Sequence, residues 1–227
     1  YETKTMPKDY QYLKYAYLIS EYIASNTILF RDKKEKIKFN PFTAYGRFGL
    51  KSGSFNILSL MKDKRIYVKP ESTDYIFCEF DFNAFEIRTL FALLKIKQPE
   101  DDLYEVLFSL EKNHNHSRFE YKQLILKSIY SQHEDITILG SLLKHKHFYN
   151  MYPIMDSKVT NIFGKGMDTD HFHLLSRILQ SSAAYILYQQ MYKLLCYIKQ
   201  NNLKSKISFS IHDSICLSIH KSETDKI

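Results

Sequence analysis

The stretch that most constrains this chain is ISFSIHDSICLSI, residues 207–219, in which Ile207, Phe209 and Ile211 alternate with small residues and Ile215, Leu217 and Ile219 do so again. Period-two alternation on both sides of a tight His212-Asp213-Ser214 tip predicts two antiparallel strands around a turn. DYIFCEFDF (74–82) is rich in β-forming residues and reads as a buried strand ending on an acid, Asp81. Directly after it Ile87, Leu90, Phe91 and Leu94 recur at helical spacing, so strand passes quickly into helix. Further helices are expected over 8–24, where Tyr12, Ala16, Ile19 and Ile23 form one stripe, over 102–112 and 117–132, and over 171–200, which holds neither proline nor glycine. Strands at two places in the chain thus stand among helices, an α+β order of elements whose sheet pairing the pattern leaves open.

A core is affordable. Of the 227 residues 44% are hydrophobic, with 18 Tyr and 16 Phe, enough apolar surface to offset the entropy of ordering the backbone and to exclude a disordered chain. The net charge is +7, and it is concentrated: residues 1–70 carry 14 Lys/Arg against 6 Asp/Glu, so the remainder is nearly neutral. A basic front section is what a polyanion-binding surface looks like, and Lys-rich codon usage gives the same composition. The run RDKKEKIKFN (31–40) reads either as a solvated loop or as a phosphate-facing strap. Gly46, Gly49 and Gly53 mark a segment needing close backbone approach. Cys78, Cys196 and Cys216 are scattered among apolar residues, which predicts neither a disulfide framework nor a zinc site and fits a reducing cytoplasm. No stretch approaches the roughly 20 apolar residues of a membrane span, and the N-terminus lacks a secretory signal, so no membrane partner is expected.

Two acids stand at the edges of apolar strands, Asp81 closing one and Asp213 at the hairpin tip. A carboxylate there must be solvated, paired or bound to a cation, because burying it bare costs several kcal/mol. If the strands are neighbours, the two acids meet despite the 132 positions between them. Two oxygen-donor carboxylates are what a pair of Mg²⁺ ions requires for in-line phosphoryl transfer. A second set lies on SRFEYKQLILKSIYS (117–131), where Arg118, Lys122, Leu126 and Tyr130 follow at four-residue steps and share one broad helix face. Arg and Lys one turn apart can grip a triphosphate, and the lysine can protonate departing pyrophosphate.

DFNAFEIRTL (81–90) resembles motif A of the family A DNA polymerases, with Asp, Glu and Arg at Asp81, Glu86 and Arg88. The resemblance implies that Asp81 binds both metal ions with the help of the Phe82 carbonyl, and that Glu86 is the steric gate that excludes a 2′-hydroxyl. Residues 117–131 resemble the nucleotide-binding helix of that family's fingers, with Leu126 where an aromatic residue is usual and Ser131 where glycine follows the tyrosine. QSSAAYIL (180–187) is similar to a palm-helix segment in which Gln180 would touch the minor groove of the duplex. SIHDSICL (210–217) resembles motif C, with Ser214 in place of its glutamate, which implies a metal role for Asp213 and a place near the primer end for His212. YGRFGLKSGSFNIL (45–58) is similar to a Thr-Gly-Arg segment, which would bring Arg47 to the minor groove, as Arg88 would also contact DNA; DDLYEVLF (101–108) carries Tyr104 where the family often has histidine.

These matches run in the family's order over residues 12–220. They imply a right-hand polymerase fold of phage type, a palm with an antiparallel sheet backed by helices plus small helical fingers. The divisions expected are 1–30 as the end of a thumb helix, 31–95 as the first part of the palm, 96–170 as fingers and 171–227 as the rest of the palm. The implied activity is template-directed addition of deoxynucleoside triphosphates to a primer with two Mg²⁺ ions, Mn²⁺ being a substitute. The implied partners are primer-template DNA and replication accessory proteins, and the implied location is the cytoplasm of a phage-infected bacterium. No acidic set of a 3′–5′ exonuclease precedes these segments. A single-subunit RNA polymerase shares the Arg/Lys/Tyr helix and a His-Asp-Ser tip, but its motif A lacks the Glu-x-Arg found at Glu86 and Arg88. A catalytically inactive polymerase-like binding protein is favoured by Leu126, Ser131 and Ser214, and a metal-dependent nuclease would need more clustered acids than Asp81 and Asp213.

Overall fold

The computed structural model describes residues 13–110, 117–131 and 148–227. Within these the chain divides into two compact units, one built from the residues up to Phe82 together with Ala184–Ile227, the other from Asn83–Ala183.

The first unit is organised by a three-stranded antiparallel sheet. β6 (Tyr75–Asp81) lies at one edge, β10 (Ser214–His220) at the centre and β9 (Lys206–Ile211) at the other edge. The expected hairpin is therefore present, and its partner strand is the one that ends on Asp81. One expectation is corrected: β6 is not buried, since its residues are half-buried or exposed, including Phe80 and Ile76. As an edge strand it is covered on one side only, whereas the central strand β10 is buried from Ser214 to Ile219. Helix α1 (Lys14–Ser25) presents Ala16, Ile19, Ser20 and Ile23 inward at i, i+3, i+4 and i+7. Its end is tied to the sheet where Asn26 Nδ2 donates to the Ile207 carbonyl at 3.0 Å. Tyr12 and the other residues before 13 in the predicted 8–24 helix lie outside the described residues.

The basic run 31–40 is not a plain loop. β1 (Ile28–Phe30) and β2 (Lys33–Glu35) form a hairpin, and β1 also pairs with β5 (Val68–Pro70). The hairpin turns through Arg31 and Asp32, both with left-handed φ, 50° and 62°. Two consecutive positive φ values are what a two-residue turn of this twist needs, and Asn-Gly is its usual signature, so Arg-Asp gave no sequence signal. β3 (Phe39–Asn40) and β4 (Gly49–Leu50) make a second short ribbon. Phe39 and Phe48 stack 4.5 Å apart, and Phe48 also meets Tyr188 at 4.2 Å.

The second unit is mainly helical: α2 (Phe85–Leu93), α3 (Leu103–Leu110), α4 (Arg118–Ser131), the single turn α5 (Phe148–Met151), and the first part of α6 (Leu174–Gln200), whose later part belongs to the first unit. One apolar cluster joins them, including Ile87, Leu90, Leu103, Ile125, Ile129, Phe148 and Ile178. α4 opens on a capping box: Glu120 accepts from the backbone N–H of Ser117 at 2.7 Å while Ser117 Oγ accepts from the N–H of Glu120 at 3.3 Å. β7 (Lys158–Thr160) and β8 (Gly166–Asp168) form a ribbon whose turn is organised by buried Asn161. Its Oδ1 accepts from the N–H groups of Phe163 and Lys165, and its Nδ2 donates to Ser181 Oγ at 3.0 Å. No helix among the described residues is long and apolar enough to cross a membrane.

A buried carboxylate locks the β9–β10 pair at the end away from its turn. Glu223, just after β10, accepts from the N–H groups of Lys204 and Ser205 at 2.9 Å each and from Ser205 Oγ at 2.7 Å. Burial opposes its charge, but these donors and nearby His220 outweigh it and bring the carboxyl down to about 2. A depressed carboxyl contributes stability above its ordinary value of 4.5, and that contribution is lost as pH falls toward 2. Glu223→Gln should therefore lower stability at pH 7 by about 2 kcal/mol. In denaturant titrations the gap from wild type should hold down to pH 5 and narrow steadily below 4.5; a gap independent of pH would contradict the assignment.

Candidate functional site

Asp81 and Asp213 share one end of the β6–β10–β9 sheet. In the antiparallel register Asp81 stands directly opposite Ser214, so Asp213 is the neighbour of its cross-strand partner. The seven consecutive pairs from Asp81–Ser214 to Tyr75–His220 leave no freedom in this placement. Asp81 is exposed and Asp213 half-buried, so neither suffers the desolvation a core carboxylate would. Asp213 follows His212 in a two-residue turn between Ile211 and Ser214, which pair with each other. His212 is exposed and carries a φ of 53°.

Ser214, immediately after the tip, has its Oγ 2.7 Å from Glu79 Oε1 and 3.0 Å from the Ile211 carbonyl, while its own carbonyl accepts from Ser210 Oγ at 2.8 Å. Glu79 was missed in the sequence reading. The signal that could have found it is period two: it precedes Asp81 by two residues and lies on the same strand face. Arg47, half-buried between β3 and β4, has its carbonyl held by the Thr43 hydroxyl.

In the helical unit the chain turns into α2 at Ala84, itself left-handed with φ 50° and ψ 40°. Glu86 follows in the first turn and accepts a hydrogen bond from the hydroxyl of Tyr130, at the far end of α4. Two residues singled out separately in the sequence are thus directly linked. On α4 Arg118 and Tyr130 are exposed and Lys122 and Leu126 half-buried, beside Tyr121, Ile125, Ser128 and Ile129, which are buried. Both cations have partners from α3 and its N-terminal side. Arg118 pairs with Asp102 and, through Nε at 3.3 Å, with Glu105; Lys122 Nζ lies 5.0 Å from the centre of the Tyr104 ring. Desolvation opposes the charge on Asp102, but the N–H groups of Glu105 and Tyr104, with Arg118, hold its carboxyl below the usual range. Asp102 and Glu105 were not singled out in the sequence, although an acid followed three residues later by Glu at a helix start is a capping signature.

Arg88 points to backbone oxygens of its own unit. Its Nε donates to Asn83 O at 3.1 Å, Nη1 to Pro99 O at 3.1 Å and Nη2 to Asp101 O at 3.0 Å, which fastens the α2–α3 connection. Gln180 is half-buried on α6, beside Ser181, which Asn161 holds. No group of three or more His, Cys, Asp or Glu side chains able to hold a metal ion occurs among the described residues.

No family model and no curated protein matches the sequence. The fold does match a solved structure, described as the POL domain of Pol1 from M. smegmatis in complex with DNA primer-template and dNTP, with a TM-score of 0.65 and 16% sequence identity. The match covers 96% of this chain and 47% of that one, so the chain spans about half of that domain's length. The architecture is accordingly the α+β fold of a polymerase domain.

The left-handed turn into α2 stores strain, because an L-residue there crowds its Cβ against the following carbonyl. Ala84→Gly should raise stability by about 1 kcal/mol, and Ala84→Val should lower it by about 2 kcal/mol. Denaturant midpoints of the two variants decide the matter; a loss with glycine would show that the Ala84 methyl matters more than its backbone.

Proposed function

We propose that this chain is the palm- and fingers-bearing part of a template-directed DNA polymerase that adds deoxynucleoside triphosphates to a primer. The observation that carries the reading is the register that sets Asp81 opposite Ser214 and hence beside Asp213. The likeness of the fold to a polymerase domain solved with primer-template and dNTP supports it. On this reading the sheet-bearing unit is the palm and the helical unit carries the fingers, with residues before 30 as the end of a thumb helix.

Asp81 and Asp213 offer hard carboxylate oxygens at one solvent-accessible sheet end, a donor set that fits Mg²⁺ better than any softer ion. With the Phe82 carbonyl they would hold the divalent ions, whose chemistry is to activate the primer hydroxyl and stabilise charge on the phosphates. His212, at the exposed tip, would lie near the primer end, and Arg47, Arg88 and Gln180 would contact the duplex. In the helical unit Arg118 and Lys122 bind the triphosphate, and Lys122 delivers a proton to the departing pyrophosphate oxygen. The Tyr130 hydroxyl holds Glu86 in one rotamer, and a fixed carboxylate is what lets Glu86 act as a gate against a 2′-hydroxyl. Leu126 offers the nucleotide an apolar contact without ring stacking.

Asp213→Ala and Asp81→Ala should each reduce primer extension by at least about a thousandfold while primer-template binding persists. Extension that survives either change would remove the metal role. Glu86→Ala should admit ribonucleotides, lowering the dATP over ATP preference by at least about tenfold. A wild-type chain that already prefers ATP would instead make this an RNA polymerase.

A further inference from the structure

The sequence departs from the pattern it resembles by placing Ser214 after Asp213, which takes one carboxylate from the hairpin tip. On β6, Glu79 and Asp81 are two residues apart and so project to one face, and that face also holds Ser214, the direct partner of Asp81. Ser214 is only 3% exposed, and its hydroxyl meets Glu79 Oε1 at 2.7 Å. The same oxygen lies 3.9 Å from Arg65 Nη1, in the 3-10 turn Lys62–Tyr67. The Glu79 side chain is 50% exposed, so it is not a core group sealed by these contacts. A diagonal hydrogen bond between a central strand and an edge strand serves two ends here: it fixes the residue adjoining Asp213, and it brings a negative charge to the carboxylate end of the sheet.

We propose that Glu79 is a positioning residue that, tethered by Ser214 on the strand face of Asp81, adds negative charge at this end of the sheet and so helps it attract divalent cations. The idea rests on the metal role of Asp81 and Asp213 above. Glu79 acts through field and tether and is not itself a ligand, in keeping with the absence of a three-acid cage among the described residues. Its negative charge, two residues from Asp81 on the same strand face and partly hydrated, is attenuated by water and salt but not abolished.

Mn²⁺ binding to the full chain, followed by electron paramagnetic resonance without nucleotide, is the test. Glu79→Gln keeps an oxygen that can accept from Ser214 and removes only the charge, so the denaturation midpoint should stay as in wild type while Mn²⁺ affinity falls about fivefold at low salt and less at high salt. Ser214→Ala should weaken Mn²⁺ by about twofold to threefold through loss of the tether. Wild-type Mn²⁺ affinity in Glu79→Gln, with Asp213→Ala unable to bind, overturns the role of Glu79 and leaves the metal site standing. Wild-type affinity in Asp213→Ala overturns the metal site, and this proposal with it.

Discussion

Everything chemical in the first unit depends on how β10 is registered against β6. Because side chains alternate between faces, a slip of one residue would carry Asp81 away from Ser214 and turn the whole of β6 over. Several contacts prevent this. At the far end Tyr75 and His220, a register pair, meet edge to face at 5.1 Å, and Lys221 N–H continues the ladder to the Asp74 carbonyl. In the middle Phe77 reaches across to Phe209 on β9 at 5.5 Å. Near the acids, the Glu79–Ser214 hydrogen bond ties the two strands once more. β9 and β10 themselves shift register between Cys216 and Leu217, an irregularity that adds twist, yet it lies on the side of β10 away from β6 and leaves the seven pairs with β6 intact.

The helical unit poses a different electrostatic problem. The triphosphate site proposed there would need cations that are held in place but still able to bind. Arg118 is held by Asp102 and Glu105, all three at least 30% exposed, and Lys122 rests against the Tyr104 ring. Exposed ion pairs contribute about 0–1 kcal/mol, so they orient the guanidinium without consuming its affinity, and a more highly charged polyanion can displace them. The Glu86–Tyr130 hydrogen bond joins α2 to α4 in the same unit. The proposed sugar gate on α2 and the proposed triphosphate helix α4 are therefore linked directly.

What was legible in the sequence was local and periodic. The alternation of 207–219 gave the hairpin, the apolar stripe from Ile87 gave α2, and the four-residue steps from Arg118 gave a helix, α4, with Arg118, Lys122, Leu126 and Tyr130 along one stripe. The pairing of β6 with β10 was foreseen only as a condition for Asp81 and Asp213 to meet, because no sequence pattern encodes which strands become neighbours. The exposure of β6 was misjudged because composition reports strand propensity and not whether a strand lies at an edge. The hairpin through Arg31-Asp32 lacked the glycine signature that announces such a turn, whereas the β7–β8 ribbon carried one at Gly164, which was not used. Local signals could have marked Glu79, Asp102 and Glu105, but not that they would meet Ser214 and Arg118, because each of these bonds joins segments that come together only in the folded chain.

Two of the left-handed non-glycine residues lie beside the acids, His212 directly before Asp213 and Ala84 three positions after Asp81. Glycine would remove the strain, about 1–2 kcal/mol at each, but it would also add backbone freedom to each short connection. A side chain in a disfavoured well persists only where its surroundings over-determine it. At His212 the surroundings are the rigid β9–β10 ladder closing on Ile211 and Ser214; at Ala84 they are the α2 hydrogen bond from Arg88 N–H to the Ala84 carbonyl at 2.9 Å and the apolar cluster beneath it. Strain at these two points is thus the expected consequence of short connections, a two-residue turn at one and a direct step from β6 into α2 at the other. A looser turn at the hairpin tip would be easier to fold, and it would leave Asp213 less sharply placed beside Asp81 for the cation site proposed above.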